Sequence, residues 1–271
     1  MIRLLSEPDR TQTTEFLSGA PQFNLYMLGN VEKLGFDHTI CEFWGDFAPS
    51  AMGDDNAGEL RAVLNRYMNG WALYGKANAD WAGLAQVLET HPAGAQRLQD
   101  NPGGIDSFLP YLQRYYAEKV EVEEVMALQP ANFRPIPAPA GVVIRRATLD
   151  DLPTLIAFYA NAEHMSRSAA GVERPLQDTR LWLAEQAGEI VATALTNAET
   201  SQLAMIGGVY TPPARRGHGF SQAVCSALCT DLIADQKQPI LYWVTPAAGS
   251  VYRKLGFRAT GLWRSVWLHS A

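Results

Sequence analysis

Val209-Tyr210-Thr211-Pro212-Pro213-Ala214-Arg215-Arg216-Gly217-His218-Gly219-Phe220-Ser221 is the stretch that decides the fold. A strand-like run, Gln202 to Tyr210, leads into it. A run whose apolar residues Phe220, Ala223, Val224, Ala227, Leu228, Leu232 and Ile233 repeat at helical spacing leads out of it. Gly217 and Gly219 let the backbone turn sharply and approach a ligand closely, and the free amides of a helix start carry partial positive charge. Such a turn binds phosphate. Arg215 and Arg216 add two cations suited to phosphate oxygens. Gly-x-Gly alone is more simply a tight strand-to-helix turn; strand, arginine pair, glycines and helix together say more. No Gly-Lys-Ser/Thr follows, which excludes a nucleotide P-loop, and Gln222 stands where the dinucleotide fingerprint needs its third glycine.

Working outward, Val142 to Arg146 reads as a strand. Thr148-Leu149-Asp150-Asp151 resembles a capping box, opening a helix to about Glu163 with Leu152, Leu155, Ile156 and Tyr159 on its buried face. A polar loop is expected from His164 to about Pro175. Three antiparallel strands follow, Arg180 to Glu185, Ile190 to Thr196 and Gln202 to Tyr210, joined by hairpin turns at Gln186 to Glu189 and Asn197 to Ser201. After the long helix, Pro239 to Thr245 reads as a strand, Ala247 to Leu255 as a helix ended by Gly256, and Phe257 to Leu268 as two short strands or a hairpin around Gly261. The order predicts an α/β layer on a mixed, mostly antiparallel sheet.

Arg216-Gly217-His218-Gly219-Phe220-Ser221 resembles the acetyl-CoA signature of the GNAT N-acetyltransferase superfamily, Arg/Gln-x-x-Gly-x-Gly/Ala, with Ser221 where glycine or alanine is usual. Val251-Tyr252-Arg253-Lys254-Leu255-Gly256-Phe257 is similar to a second motif of that family, Tyr-x-Lys/Arg-Leu-Gly-Phe, and the element order from about Val142 to Ala271 matches its fold. The resemblance implies acetyl-CoA as cofactor, held by Thr211, Arg215, Arg216, Gly217, His218, Gly219, Phe220 and Ser221. It also implies that Val209 and Tyr210 act through their backbone amides on the pantetheine arm and thioester, where strand four splays from strand five. Thr245 stands where many relatives have a cofactor-contacting asparagine. Tyr252 is the implied general acid, since a phenol of pKa about 10 stays protonated at neutral pH. By composition alone it would be one more packed tyrosine. The implied activity is direct attack of a small-molecule or peptide amine on acetyl-CoA in a ternary complex. A non-catalytic acyl-CoA binding or sensing protein is the alternative, motivated by Ser221, Thr245 and the lack of a carboxylate between Gln202 and Tyr210. Glu163, His164 and Glu173 are the substitute bases available near the first helix, each otherwise a solvated loop residue.

The chain has 271 residues, enough for one large domain or two modest ones, and 47% hydrophobic content excludes a disordered chain. Cys41, Cys225 and Cys229 suggest neither a disulfide framework nor a metal site. No apolar run is long enough to span a membrane and the start is charged, so a cytoplasmic protein without a membrane partner is expected. The net charge of −6 argues against nucleic acid. Residues 1–135 hold 10 Lys+Arg against 18 Asp+Glu and the remainder 12 against 10, so the second half better suits an anionic ligand. Prolines 130, 135, 137 and 139 mark a linker over 129–140, between a domain at 1–128 and the GNAT-like domain at 141–271.

In the first half, Leu4 to Leu17 and Phe23 to Leu34 read as helices, and Thr39 to Phe47, Leu60 to Tyr67 and Gly70 to Lys76 as strands. Helices near Trp81 to Glu89 and Ile105 to Tyr116 and a strand around Val120 to Leu128 complete it. This echoes the front of a GNAT domain without an Arg-x-x-Gly-x-Gly turn. A degenerate second copy that shapes a substrate cleft or mediates homodimerisation is expected.

Overall fold

The computed structural model describes residues 1–49, 58–160, 162–244 and 246–270. The chain folds as two compact units, Met1–Glu124 with Gly261–Ala271, and Val125–Thr260.

The first unit runs β1 (Ile2–Leu4), α1 (Arg10–Leu17), α2 (Pro21–Lys33), β2 (Cys41–Phe47), β3 (Leu60–Tyr67), β4 (Gly70–Gly75), α3 (Trp81–Thr90), β5 (Arg97–Asp100), α4 (Pro102–Phe108) and most of β6 (Tyr115–Ala127). Strands β1 to β4 pair antiparallel in sequence order, and β5 runs parallel to β4. Side chains alternate across the sheet, so each face carries its own core. Leu17, Met27, Leu28 and Val31 from α1 and α2 pack on Phe43 and Val63, while Leu84, Leu88, Ile105 and Phe108 from α3 and α4 pack on Leu64, Trp71 and Leu98.

The second unit repeats that order: β7 (Val142–Arg146), α5 (Leu152–Ala160), α6 (Ala169–Asp178), β8 (Leu181–Gln186), β9 (Glu189–Glu199), β10 (Leu203–Tyr210), α7 (Phe220–Ala234), β11 (Gln238–Trp243), α8 (Pro246–Leu255) and the start of β12 (Arg258–Ser270). Strands β7 to β10 are antiparallel neighbours, and β11 is parallel to β10. The hairpin Gln186 to Glu189 turns on Ala187 and Gly188, both at positive φ. Arg180, 7% exposed at its side chain, holds Glu199 at 2.9 Å and Asp231 at 3.1 Å. Removing one partner from so buried a set would leave a charge uncompensated.

The described residues divide differently from the expected 1–128, 129–140 and 141–271. β12 is one continuous strand without a turn at Gly261. Its Arg264 to Trp267 pair with Asp100 to Arg97, and Val266 and Leu268 are buried in the α3–α4 core of the first unit. Gly261 serves proximity, not reversal, because a Cβ there would stand 2.7 Å from the Phe23 ring. In the other direction, Met126 and Leu128 join the core of the second unit, and Leu128 N–H donates to the Pro239 carbonyl at 2.9 Å. The proline-rich stretch is fixed as well. Arg134 N–H bonds Leu255 at 3.0 Å, and Ile136 N–H bonds the Ser226 hydroxyl on α7 at 2.8 Å.

The span expected as a loop up to Pro175 contains α6. Ser168 caps it by accepting from Gly171 N–H, and buried Val172 and Pro175 hold its inner face although Pro175 breaks a helical bond. Among the described residues, no helix is long and apolar enough to cross a membrane.

Candidate active site

The site of the second unit begins where β10 and β11 part. Their parallel ladder runs from Leu203 opposite Gln238 to Ile206 opposite Leu241, yet β10 continues to Tyr210 and β11 to Trp243. The β10–β11 ladder therefore stops at Ile206, four residues short of the end of β10. On its other edge β10 shifts register against β9 between Gly207 and Tyr210. Gly208, in the shift, has φ +54° and a Cβ there would meet the Leu195 side chain at 2.6 Å, so only glycine fits. The Tyr159 hydroxyl donates to the Gly208 carbonyl at 2.8 Å and meets the Thr193 hydroxyl at 2.7 Å. Full burial pushes the Tyr159 phenol up to about 12, which keeps that donor protonated.

The two faces of this edge differ. Trp182 and Ala184 alternate with Leu181 and Leu183 along β8, which separates an α7–α8 core from an α5–α6 core. Val209 packs toward the first and Tyr210 toward the second.

After β10 the chain makes the glycine turn. Gly217 and Gly219 have φ +85° and +80°, and a Cβ on either would meet nothing within 4 Å, so the turn is open. Among the described residues, the N–H groups of Gly217, His218, Gly219, Phe220, Ser221 and Gln222 find no acceptor, and no side chain caps α7. Unsatisfied amides at the start of a fifteen-residue helix are an oxyanion cradle. The buried Thr211 hydroxyl also has no partner among the described residues. The His218 ring stacks on Phe220 at 5.5 Å and its Nδ1 lies 2.9 Å from the Arg216 carbonyl, so the imidazole folds back along the turn. Arg215 pairs with Glu189 at 2.7 Å and Arg216 with Glu163 at 2.6 Å, both exposed. Exposed pairs of this kind are worth about 0–1 kcal/mol and yield readily to a phosphate.

Tyr252 is 8% exposed on α8. It shares a core with Phe220, Val224, Cys225 and Cys229 of α7, against which Val209 and Trp243 pack, so α7, α8 and the ends of both parted strands meet around it. Burial, with the two thiols adding to it, holds the Tyr252 phenol well above its usual value near 10. Burial likewise pushes the Cys225 thiol up to about 12 and raises Cys229.

Of the sequence candidates, Glu163 is drawn to Arg216 at the turn. Glu173 lies on the outer surface of α6, accepting from Gln177 at 2.8 Å. Thr245 and the side chain of His164 lie outside the described residues. Apolar spacing places Tyr159 on a buried face and gives it no part in the site; its bond to a carbonyl 49 residues away is invisible to periodicity. Arg167 and Asn197, which also border Gly208 and Gly207, were missed for the same reason.

The first unit has the same parted strands, with the β4–β5 ladder ending at Ala72 opposite Gln99. Its counterpart of the glycine turn is closed by Asp80, whose carboxylate accepts from Gly83 N–H at 2.9 Å and puts negative charge where a phosphate would sit.

Two parallel strands that part above a glycine turn and a long helix are the arrangement that the resemblance implied. The C-terminal half resembles a GNAT domain in fold and in motif placement. Residues 184–268 match the FR47-like protein family. An uncharacterized N-acetyltransferase in the mutA 5′ region of Streptomyces virginiae is 30% identical over 127 residues, 47% of this chain and 54% of that relative, so the match spans about half of each. Among solved structures, a GCN5-related N-acetyltransferase from Sphaerobacter thermophilus superposes with a TM-score of 0.66 at 17% identity, covering 100% of this chain and 95% of that one. A tandem GNAT protein from the clavulanic acid biosynthesis pathway gives 0.61 at 13% identity, covering 100% and 98%. The GNAT-like fold therefore extends over the whole chain, and the first unit is a second copy of that fold.

Proposed function

We propose that the second unit binds acetyl-CoA and transfers its acetyl group to a primary amine. The observation that carries this reading is the open turn at Gly217 and Gly219, whose unspent amides suit a diphosphate. Thr211, Arg215, Arg216, His218, Phe220 and Ser221 surround the same cradle, with the two arginines exchanging Glu189 and Glu163 for phosphate oxygens. Acetyl-CoA, when bound, supplies an activated acyl carbon on a good leaving thiol. The backbone of Val209 and Tyr210, beyond the end of the β10–β11 ladder, orients the thioester and can donate to its oxygen. Tyr252 holds its proton through the whole neutral range and is the acid available to a departing sulfur. Transfer is direct, in a ternary complex. Cys225 and Cys229 are buried and held as thiols, which disqualifies both as acyl carriers. The first unit, with Asp80 in its turn, takes no part in holding the cofactor.

The test mixes the whole chain with acetyl-CoA and a panel of amines while free thiol is followed. Thiol release that depends on one class of amine supports transfer. CoA binding without thiol release from any amine would leave an acyl-CoA sensor, and no thermal shift with CoA would remove the cofactor reading altogether. At a hundredfold excess over Kd the ligand should add about 2.7 kcal/mol to stability.

A further inference from the structure

Arg167 stands just before α6, half-buried. Its Nη2 lies 3.1 Å from the point where a Cβ on Gly208 would stand, and its guanidinium carbon is 5.8 Å from the centre of the Tyr159 ring. Nη2 donates to Asn197 Oδ1 at 3.1 Å, while Nε is buried with no acceptor among the described residues. Both arginines of the turn have a carboxylate partner. Arg167 has none among the described residues. A fixed cation with unspent donors therefore sits beside the register shift of β10, in contact with Tyr159 of the α5–α6 core and across the sheet from Tyr252 of the α7–α8 core.

We infer, on the footing of the acetyl-transfer reading, that Arg167 receives the acceptor's carboxylate and that the acceptor is an α-amino acid. A partly buried guanidinium without a counter-charge is costly, and a ligand oxyanion removes the cost. Guanidinium geometry matches a carboxylate with two parallel bonds. Its position at Gly208, just beyond the end of the β10–β11 ladder, requires the carboxylate to lie close to the reacting amine, as it does in an α-amino acid and does not in a polyamine or an aminoglycoside. A cation at that place repels an acceptor carrying only positive charge. It also disfavours the ammonium form of the bound amine, which answers the lack of a carboxylate base on β10.

Matched pairs test this on the full chain: leucine against isoamylamine, phenylalanine against phenethylamine, and glycine against aminomethylphosphonate, each with wild type, Arg167→Gln and Arg167→Lys. The wild type should favour leucine and phenylalanine over their decarboxylated partners, and glycine over its phosphonate analogue, by at least about tenfold in kcat/KM. That ratio should fall toward unity in Arg167→Gln and be partly kept in Arg167→Lys, with the Kd for CoA unchanged in both. Equal use of amines without a carboxylate, a ratio that survives in Arg167→Gln, or a phosphonate preferred to glycine would overturn the assignment while leaving acetyl transfer intact. If no amine releases thiol although CoA binds, acetyl transfer fails separately. Calorimetry on the CoA-loaded protein then decides the carboxylate site: Arg167-dependent binding of N-acetylleucine over N-isoamylacetamide sustains it, and its absence refutes it.

Discussion

Gly219→Ala separates the two roles of the glycine turn. The new Cβ would meet nothing within 4 Å, so no packing is lost and the cost to the free protein is confined to a left-handed alanine at φ +80°. That is about 1–2 kcal/mol, or roughly 2–8 °C in Tm for a unit of this size. The same methyl group projects into the space before the unpaired amides of residues 217–222, where an oxygen must come within about 2.9 Å of nitrogen. Losing even one hydrogen bond to a charged oxygen costs about 1.5–3 kcal/mol, equivalent to a roughly 10- to 150-fold rise in Kd. Calorimetry with CoA, beside thermal denaturation of the free protein, measures both. A variant that melts a few degrees lower and binds CoA with wild-type affinity would refute the cradle, since the strain would be present and the cofactor indifferent to it.

Tyr252→Phe should lower kcat by at least about tenfold with the Kd for CoA unchanged, and the wild-type rate should not fall through loss of a phenol proton as pH rises to about 10, because burial keeps that proton on. Unchanged turnover in the variant removes Tyr252 from the mechanism. Tyr159→Phe deletes the donor to the Gly208 carbonyl; Thr193, 3.3 Å from the same oxygen, can replace it in part, so denaturation should show a loss of about 1–2 kcal/mol together with a lower kcat. Identical stability and rate would mean that the register shift needs no pin. Acid stability follows from Asp151, whose carboxyl the bidentate Arg145 guanidinium holds down to about 2. A depressed carboxylate contributes fully above its unfolded pKa of about 3.9 and loses that contribution as pH falls toward 2, so the stability difference between wild type and Arg145→Met should shrink across that range; a constant difference would show that the pair is not the cause.

The glycine turn, α7 and the antiparallel run β8 to β10 were legible because each is a local pattern: glycines at fixed offsets, a 3.6-residue apolar period, and alternation between turn residues. What was not legible was fixed by distant partners. Pro175 reads as a helix breaker, and only the burial of Val172 and Pro175 shows why α6 persists around it. Gly261 reads as a turn, yet it is required by a ring brought from residue 23. β1 and β5 are three and four residues long, too short for alternation to stand out from chance. Arg167 and Tyr159 converge on Gly208 from 41 and 49 positions away, and no spacing rule reaches that far.

That residues 261–271 complete the first unit, and residues 125–128 the second, has a consequence for biogenesis. A nascent chain emerging from the ribosome cannot close its leading half until the second unit has also been made, because the strand beside β5 follows that unit in the chain. Severing the polypeptide at its prolines would release two fragments, each short of a strand, in place of two self-sufficient modules.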